Sequence, residues 1–399
     1  MAGAKIFVFD YSGHPFQVQL SRELARRGHE VTHSYCPAYP SGKGRLTAEP
    51  GESLEFAPIG GSAPLHKTRF VRRLLRELAW GFSLAREVRR RRPDVAMMSN
   101  AQIPTLVVFA LAMRVLGKPW VLWHQDVYSV AVRSFAGHKL GIGFRLVATS
   151  FELAERWCSR QASSIVVIAR SFVPVHEKWG TADKVHVIPN WAPLDEIVPM
   201  ERKNDWAVEQ ELDDCLTLLY SGTLGLKHDP ALAVRLARAV RDRGVGVRLV
   251  VVNDGPAVEV LREEAARLDV DITLLPFQPY ERLSEVLATG DVLLVLLEAQ
   301  AGEFSVPSKT LSYLSAGRPI VGLMPVQNLA GELIREAGGY VAAPVAGEID
   351  GAAEWVAAVL ADPDHRDELG QAARTLAENE FALEGAADRF ESILNECGS

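Results

Sequence analysis

The residues best suited to chemistry lie in residues 304–319, FSVPSKTLSYLSAGRP. Pro307 pre-sets the backbone angle of a first helical turn, Ser308 offers a capping hydroxyl, and Gly317-Arg318-Pro319 stops the helix. Such a helix start presents free N–H donors and a partial positive charge, which suits phosphate. Lys309 adds a full positive charge at the same place, and Val306 belongs to the same anion-facing loop. Glu303 reads either as a solvated loop acid or as a partner for a sugar hydroxyl. A second loop, residues 220–227 (YSGTLGLK), combines Gly222, Thr223 and Gly225 with Lys227. If Lys227 and Lys309 stand at strand ends of one sheet, they converge on a diphosphate and stabilise it as a leaving group. The turn at residues 253–256, with Asp254 and Gly255, ends a further strand and is placed to touch a nucleoside.

The N-terminal half carries its own polar loop, DYSGHP at residues 10–15. Gly13 would let backbone approach a diphosphate, with His14 beside it. No GxGxxG is present, so an ordinary strand-to-helix turn and a phosphate loop both fit. His124 and Asp126 follow another apolar run, where they could orient a sugar or handle a proton. Asn100 ends the preceding run and is a candidate of the same sort. There is no GxSxG, HExxH or Walker lysine motif. Cys36, Cys158, Cys215 and Cys397 form no CxxC pair and no metal spacing, so no metal site is expected.

These loops need strands to hold them, and the hydrophobic pattern supplies strands. Short apolar runs at 5–10, 30–34, 94–99, 120–124, 164–168 and 184–188 alternate with helical stretches such as 16–27. The alternation breaks at Pro189-Asn190-Trp191-Ala192-Pro193, and the charged residues 195–214 read as a linker. It restarts at 216–220 and continues through runs at 247–252, 271–275, 291–297, 320–323 and 340–341. The expected class is α/β: two Rossmann-like parallel-sheet domains. Their expected bounds are 1–195 and 196–375, with a C-terminal helix over 376–399 packing back on the first domain. Within the 399 residues, 48% are hydrophobic and 23% charged, the composition of a globular protein of more than one domain. The net charge of −7 makes nucleic acid an unexpected partner. No signal peptide is visible, and the unpaired cysteines point to a reducing, cytoplasmic setting. The longest apolar run, residues 103–113, is too short to span a bilayer, so any membrane contact would be peripheral.

Residues 69–92 add one unusual helix. Nine arginines, including Arg69, Arg72, Arg73, Arg76, Arg89, Arg90, Arg91 and Arg92, stand against Glu77 and Glu87. Val71, Leu74, Leu75, Leu78 and Phe82 mark an apolar stripe, and Trp80 and Phe70 add rings. A membrane-surface helix reads this way, and so does a core helix with solvated arginines.

Taken in order, several of these motifs resemble a retaining glycosyltransferase of the GT-B fold, family 4-like, of the bacterial exopolysaccharide and lipid-linked glycan branch. They are the Gly13 loop, Arg27-Gly28-His29-Glu30-Val31, His124 with Asp126, Val187-Ile188-Pro189-Asn190, the loop ending at Lys227, the Asn253-to-Pro256 turn, and Pro307-Ser308-Lys309 leading to Ala316-Gly317-Arg318-Pro319. The resemblance covers nearly the whole chain. It implies two domains facing a central cleft, the second binding a nucleoside diphosphate sugar (UDP- or GDP-linked) and the first an acceptor. On this likeness Lys227 and Lys309 neutralise the leaving diphosphate, and Gly13, Gly222, Thr223, Asp254, Gly255, Glu303, Val306, Pro307 and Ser308 surround the donor. His124 and Asp126 lie at the donor sugar, with His14 and Asn100 on the acceptor or sugar. The implied acceptor is polyprenyl-diphosphate-linked, reached from the inner face of the membrane. Ser312 stands where the family often has a second glutamate, and Thr223 near a position where it often has arginine. A GT-B sugar-nucleotide epimerase and a non-catalytic GT-B partner subunit are the alternative readings.

Overall fold

A computed structural model describes residues 3–38, 45–61, 70–129, 142–224, 229–253, 255, 257–298 and 308–398. The chain divides into two compact units, one of residues 1–190 with 383–399 and one of residues 191–382. The first begins β1 (Lys5–Asp10), α1 (Pro15–Arg26), β2 (Glu30–Tyr35), β3 (Leu54–Pro58), α2 (Phe70–Arg91), β4 (Val95–Ser99) and α3 (Ile103–Leu116). It continues through β5 (Trp120–His124), α4 (Ile142–Gln161), β6 (Ser164–Val167), α5 (Val173–Trp179) and β7 (Val185–Val187). The seven strands pair in the order β3-β2-β1-β4-β5-β6-β7, every described pairing parallel. Helices cover both faces, which is why β1, β4 and β5 are buried and read as unbroken apolar runs.

The second unit runs α6 (Asp205–Glu209), β8 (Thr217–Ser221), α7 (Ala231–Arg241), β9 (Arg248–Val252), α8 (Ala257–Leu268), β10 (Ile272–Leu275), α9 (Leu283–Ala288) and β11 (Val292–Leu296). It ends with α10 (Ser308–Ala316), β12 (Ile320–Leu323), α11 (Leu329–Glu336), β13 (Tyr340–Ala342), α12 (Ile349–Ala361) and α13 (Pro363–Glu380). Its six strands pair in parallel in the order β10-β9-β8-β11-β12-β13. Two apolar layers sandwich this sheet, one under α7, α8 and α12, the other under α10, α11 and α13.

Two expectations are corrected here. Residues 195–214 are no bare linker: Ile197, Trp206 and Leu212 are fully buried in the second unit's core. Asn204 caps α6 by accepting the Ala207 N–H, and the Trp206 indole donates to Gln278 at 3.0 Å. Charges on the solvent side hid three anchor residues. Trp206→Ala is expected to cost the second unit about 3–5 kcal/mol, read as a lower urea midpoint. The edge strand β3 is the second, a strand outside the expected runs, since only Leu54 and Ala57 of its five residues are buried.

The last helix, α14 (Leu383–Gly398), belongs to the first unit. Arg27 reaches Asp388 at 2.6 Å and Glu391 at 2.8 Å, His29 meets Glu391 at 3.0 Å, and Phe390 packs on Trp123. By compactness the chain leaves the first unit after Asn190 and rejoins it at Leu383; the expected bounds are 195 and 376.

Candidate functional site

Each sheet reverses its strand order at one place, between β1 and β4 in the first unit and between β8 and β11 in the second. Open parallel sheets bind ligands outside the carboxyl ends of strands at such points. Among the described candidates, Gly13, His14 and Asn100 lie there in the first unit, and Gly222, Thr223 and Lys309 in the second.

In the second unit β8 ends at Ser221. The Ser221 N–H donates to the Tyr313 hydroxyl at 2.9 Å, and that hydroxyl lies 3.2 Å from the Ser221 carbonyl. Tyr313 thus ties α10 to the strand end. Gly222 follows at φ 131°, and a Cβ built there would lie 2.8 Å from Lys309 Cε. Glycine is needed on both counts, for the backbone angle and for the lysine. Lys309 enters from the first turn of α10, with Nζ 3.6 Å from the centre of the Tyr220 ring. Burial pushes its ammonium down to about 7. The ring face offsets part of that desolvation. No carboxylate pairs with Lys309 among the described residues, and an anion placed beside it would favour the charged form.

A cavity of about 480 Å³ opens beside this lysine, lined by Tyr220 through Thr223, Phe277, Gln278, Tyr280, Lys309, Ser312 and Tyr313. It is apolar with a few convergent polar groups, the usual make-up of a small-molecule pocket. Phe277 and Tyr280 stand exposed at its wall. Thr223 turns its carbonyl to the Tyr220 hydroxyl at 2.8 Å. Gln278 is committed elsewhere, to Trp206 and to the Pro276 carbonyl. The Asn253 carbonyl oxygen accepts the Leu224 N–H at 2.8 Å, and its amide nitrogen is buried without a partner. Gly255 sits at φ 130° with open space around it. Phe277 and Tyr280 escaped the sequence reading; the signal was PFQPY directly after β10.

In the first unit β1 delivers Asp10, fully buried, to the strand end. One carboxylate oxygen accepts the His14 N–H, and the other lies 2.8 Å from His14 Nδ1. Pro15 then opens α1. Burial lowers the His14 pKa, but the hydrogen bond and charge of Asp10, with the charge of Asp126, outweigh it, so the pKa is raised. Ser12 Oγ lies 3.1 and 3.2 Å from the two ring nitrogens. Asp126 is exposed, yet the surrounding protein pushes its carboxyl above the usual range, against the charges of His124 and His14. Gly13 takes φ 82°, and a Cβ there would meet Leu46 at 2.8 Å. Asn100 ends β4 in the left-handed region at φ 49°, with its side-chain oxygen buried and unpartnered. Asparagine tolerates that angle better than most residues.

His124 takes a different place from the one expected. It is buried, with Nδ1 3.2 Å from His176 Nε2 and Nε2 3.2 Å from Glu155. Glu155 also accepts the N–H groups of Tyr128 and Ser129. Although burial raises the Glu155 pKa, His124 and Ser129 hold it below the ordinary range. Burial holds His176 down to about 3, so it stays neutral. Both His124 nitrogens are therefore committed to a structural network, and the histidine open at this strand edge is His14. Lys227, Asp254, Glu303, Val306, Pro307 and Arg69 lie outside the described residues. Of Ser308, the position at the start of α10 is described.

Of the arginine-rich stretch, the structure describes α2, Phe70–Arg91. Trp80 is buried, with its indole nitrogen against Gly60, and does not join an outer apolar stripe. Arg73 pairs with Glu77, Arg90 with Glu87, and Arg91 with Glu55 and Glu87. The run ending at Arg92 is thus half neutralised by carboxylates on its own unit.

Two parallel α/β units, each with polar loops at its switch point, define the class of two-domain Rossmann-like proteins. Residues 16–196 match the family described as Glycosyltransferase Family 4, and residues 202–376 match Glycosyl transferases group 1. The chain is a family 4-like glycosyltransferase of the GT-B fold. It is 27% identical over 316 residues to WcaI of Escherichia coli (strain K12), covering 74% of this chain and 75% of that one. The name of WcaI places it as a glycosyl transferase in colanic acid biosynthesis. Among solved structures, Anabaena Alr3699/HepE in complex with UDP and glucose superposes with TM-score 0.69 at 14% identity, over 98% of this chain and 100% of that one. A glycosyltransferase from Rickettsia africae superposes with TM-score 0.72 at 13% identity, over 100% and 99%.

Proposed function

We propose that this glycosyltransferase moves a sugar, with retained anomeric configuration, from a UDP- or GDP-linked donor to an acceptor. We take the acceptor to be a lipid-linked glycan in bacterial surface polysaccharide synthesis. The observation that carries the donor assignment is Lys309, half-buried, without a carboxylate partner among the described residues, and lining an apolar pocket at the second unit's switch point. The HepE complex with UDP and glucose and the name of WcaI support the donor and the pathway class respectively.

In this reading the donor diphosphate lies on the first turn of α10 and on Lys309. Lys227, Val306, Pro307 and Ser308 complete its cradle, with Asp254, Gly255 and Glu303 toward nucleoside and sugar. Phe277 and Tyr280 offer rings to the nucleoside. Gly222 allows the backbone to approach, and Thr223 stands beside it. The bond from the anomeric carbon to the phosphate oxygen breaks while the acceptor oxygen bonds to that carbon on the same face. The acceptor proton passes to the departing phosphate oxygen, whose charge the lysines and helix start stabilise. His14, positioned by Asp10, receives the acceptor hydroxyl in a hydrogen bond, with Asp126, Gly13 and Asn100 around it. The reading assigns no resident metal or cofactor. Among the described residues no helix is long and apolar enough to cross a membrane. The proposed place is the cytoplasmic face, by surface contact, where a lipid-linked acceptor would be met.

Thermal unfolding with UDP, GDP, ADP and their sugars tests the donor. A ligand at a hundred times its Kd adds about 2.7 kcal/mol of apparent stability, so one base should raise the Tm well above the others. No shift with any nucleotide would sink the donor assignment.

A further inference from the structure

The helices covering one face of the first sheet carry an outer surface that the transfer chemistry does not use. α2 packs along α3, and α3 along α4. α2 turns Glu77, Trp80, Leu84 and Val88 inward. Outward it turns Leu75, 61% exposed, and Phe82, 67% exposed. On α3 Leu111 is 52% and Val115 78% exposed, and on α4 Leu153 is 58% exposed. These are among the largest exposed apolar groups of the described residues, and they fall on three neighbouring helices. At the seam, a Cβ on Gly81 of α2 would lie 2.6 Å from Val108 of α3. Phe82 follows Gly81, while Leu111 and Val115 stand one and two turns beyond Val108 on the same helical stripe. The apolar groups therefore flank one line of helix contact rather than scattering.

Charge identifies what covers them. Glu77 is taken by Arg73, Glu87 by Arg90 and Arg91, and Glu55 by Arg91. Arg72, Arg76, Arg86 and Arg89 have no carboxylate partner among the described residues, on a chain whose net charge is −7. A second copy laid on this face would set arginine against arginine. An anionic lipid surface supplies both an apolar layer for the rings and phosphates for the arginines.

We propose that the α2–α3 face, extended by Leu153, docks on an anionic bilayer. Phe82, Leu75, Leu111 and Val115 enter the headgroup–acyl boundary, and Arg72, Arg76, Arg86 and Arg89 meet lipid phosphates. This rests on, and deepens, the proposed placement at the cytoplasmic face. It locates the contact in apolar insertion as well as charge, and it moves the contact away from the paired Arg90 and Arg91.

Flotation with phosphatidylcholine vesicles, with and without phosphatidylglycerol, tests it on the full chain. The wild-type protein floats with phosphatidylglycerol vesicles, and part of that binding survives high salt, which screens charge but not insertion. Phe82→Glu/Val115→Glu lowers binding at least about tenfold and removes the salt-resistant part. Replacing Arg72, Arg76, Arg86 and Arg89 by glutamine removes the salt-sensitive part. Unchanged melting temperatures confirm that both variants fold, as substitution at exposed positions allows. The proposal is overturned if the wild type ignores phosphatidylglycerol vesicles or if Phe82→Glu/Val115→Glu floats as well as wild type. It is also overturned if that variant only dissolves a dimer seen by light scattering. Nucleotide-induced stabilisation, measured on the same samples, stays unchanged in both variants and judges the transfer reading separately.

Discussion

Lys309→Met is expected to lower sugar transfer by a factor of about 10²–10³, the usual loss when one preorganised charge at a developing anion is removed. Nucleoside diphosphate binding should weaken with it. The variant keeps the volume of the side chain between Tyr220 and Gly222, so the fold should survive. A pH signature separates this role from mere packing. In the free protein burial holds Lys309 down to about 7, so above that pH it is largely neutral. A bound diphosphate favours the charged form and raises that pKa. Binding therefore takes up a proton, and affinity falls as pH rises from about 7 toward the bound-state pKa, approaching tenfold per pH unit. Titration of the nucleotide across this range should show the slope in wild type and a flat profile in Lys309→Met. An equal slope in the variant would assign the proton to another group.

The place of Lys309 was legible in the sequence because its motif carries its own backbone logic. A proline, a serine and a lysine ahead of an apolar run, with Gly-Arg-Pro at the end, describe a helix start, and α10 begins there at Ser308. Most strands were legible for a similar reason, since buried parallel strands are continuous apolar runs between helical periods. Burial of single polar groups was not. His124 and His14 both follow apolar strands, and nothing local says that Glu155 and His176 enclose the first while the second stays at the open edge. Asp10 read as the end of a strand; its role in holding His14 depends on a chain reversal of four residues. Trp206 hid in a charged segment because its partners, such as Gln278, are far away in sequence. In the helix ending at Arg91, the arginine count was plain, but the ion pairs with Glu55 and Glu87, and the outward turn of Phe82, are tertiary facts.

Asp10→Asn and His14→Ala are expected to carry the other large effect. In the proposed reading Asp10 holds the Nδ1 proton of His14, and Nε2, 3.2 Å from Ser12 Oγ, accepts a hydrogen bond from the acceptor hydroxyl while the acceptor is positioned, before that proton passes to the phosphate oxygen. His14→Ala should lower kcat/KM by about 10²-fold or more through lost orientation and polarisation. Asp10→Asn should approach that loss although the ring remains, because an amide facing Nδ1 favours the other tautomer. The pH dependence has a definite sign. His14 must be neutral to accept, and although burial lowers its pKa, Asp10 raises it above that of an ordinary histidine, so activity rises with pH through that raised value. With Asp10 neutralised, its hydrogen bond and charge no longer favour the imidazolium, and the acidic limb should move to lower pH. A profile that Asp10→Asn leaves unmoved would make Asp10 a purely structural residue.

The central claim is transfer from a nucleotide sugar. It is tested most directly by mass spectrometry of the purified protein incubated with the best-stabilising nucleotide sugar and polyprenyl-diphosphate-linked oligosaccharide. The account predicts an acceptor heavier by one sugar, an equal amount of released nucleoside diphosphate, and loss of both in Lys309→Met. An epimerised nucleotide sugar formed without acceptor, or no product from any donor that binds, would contradict it.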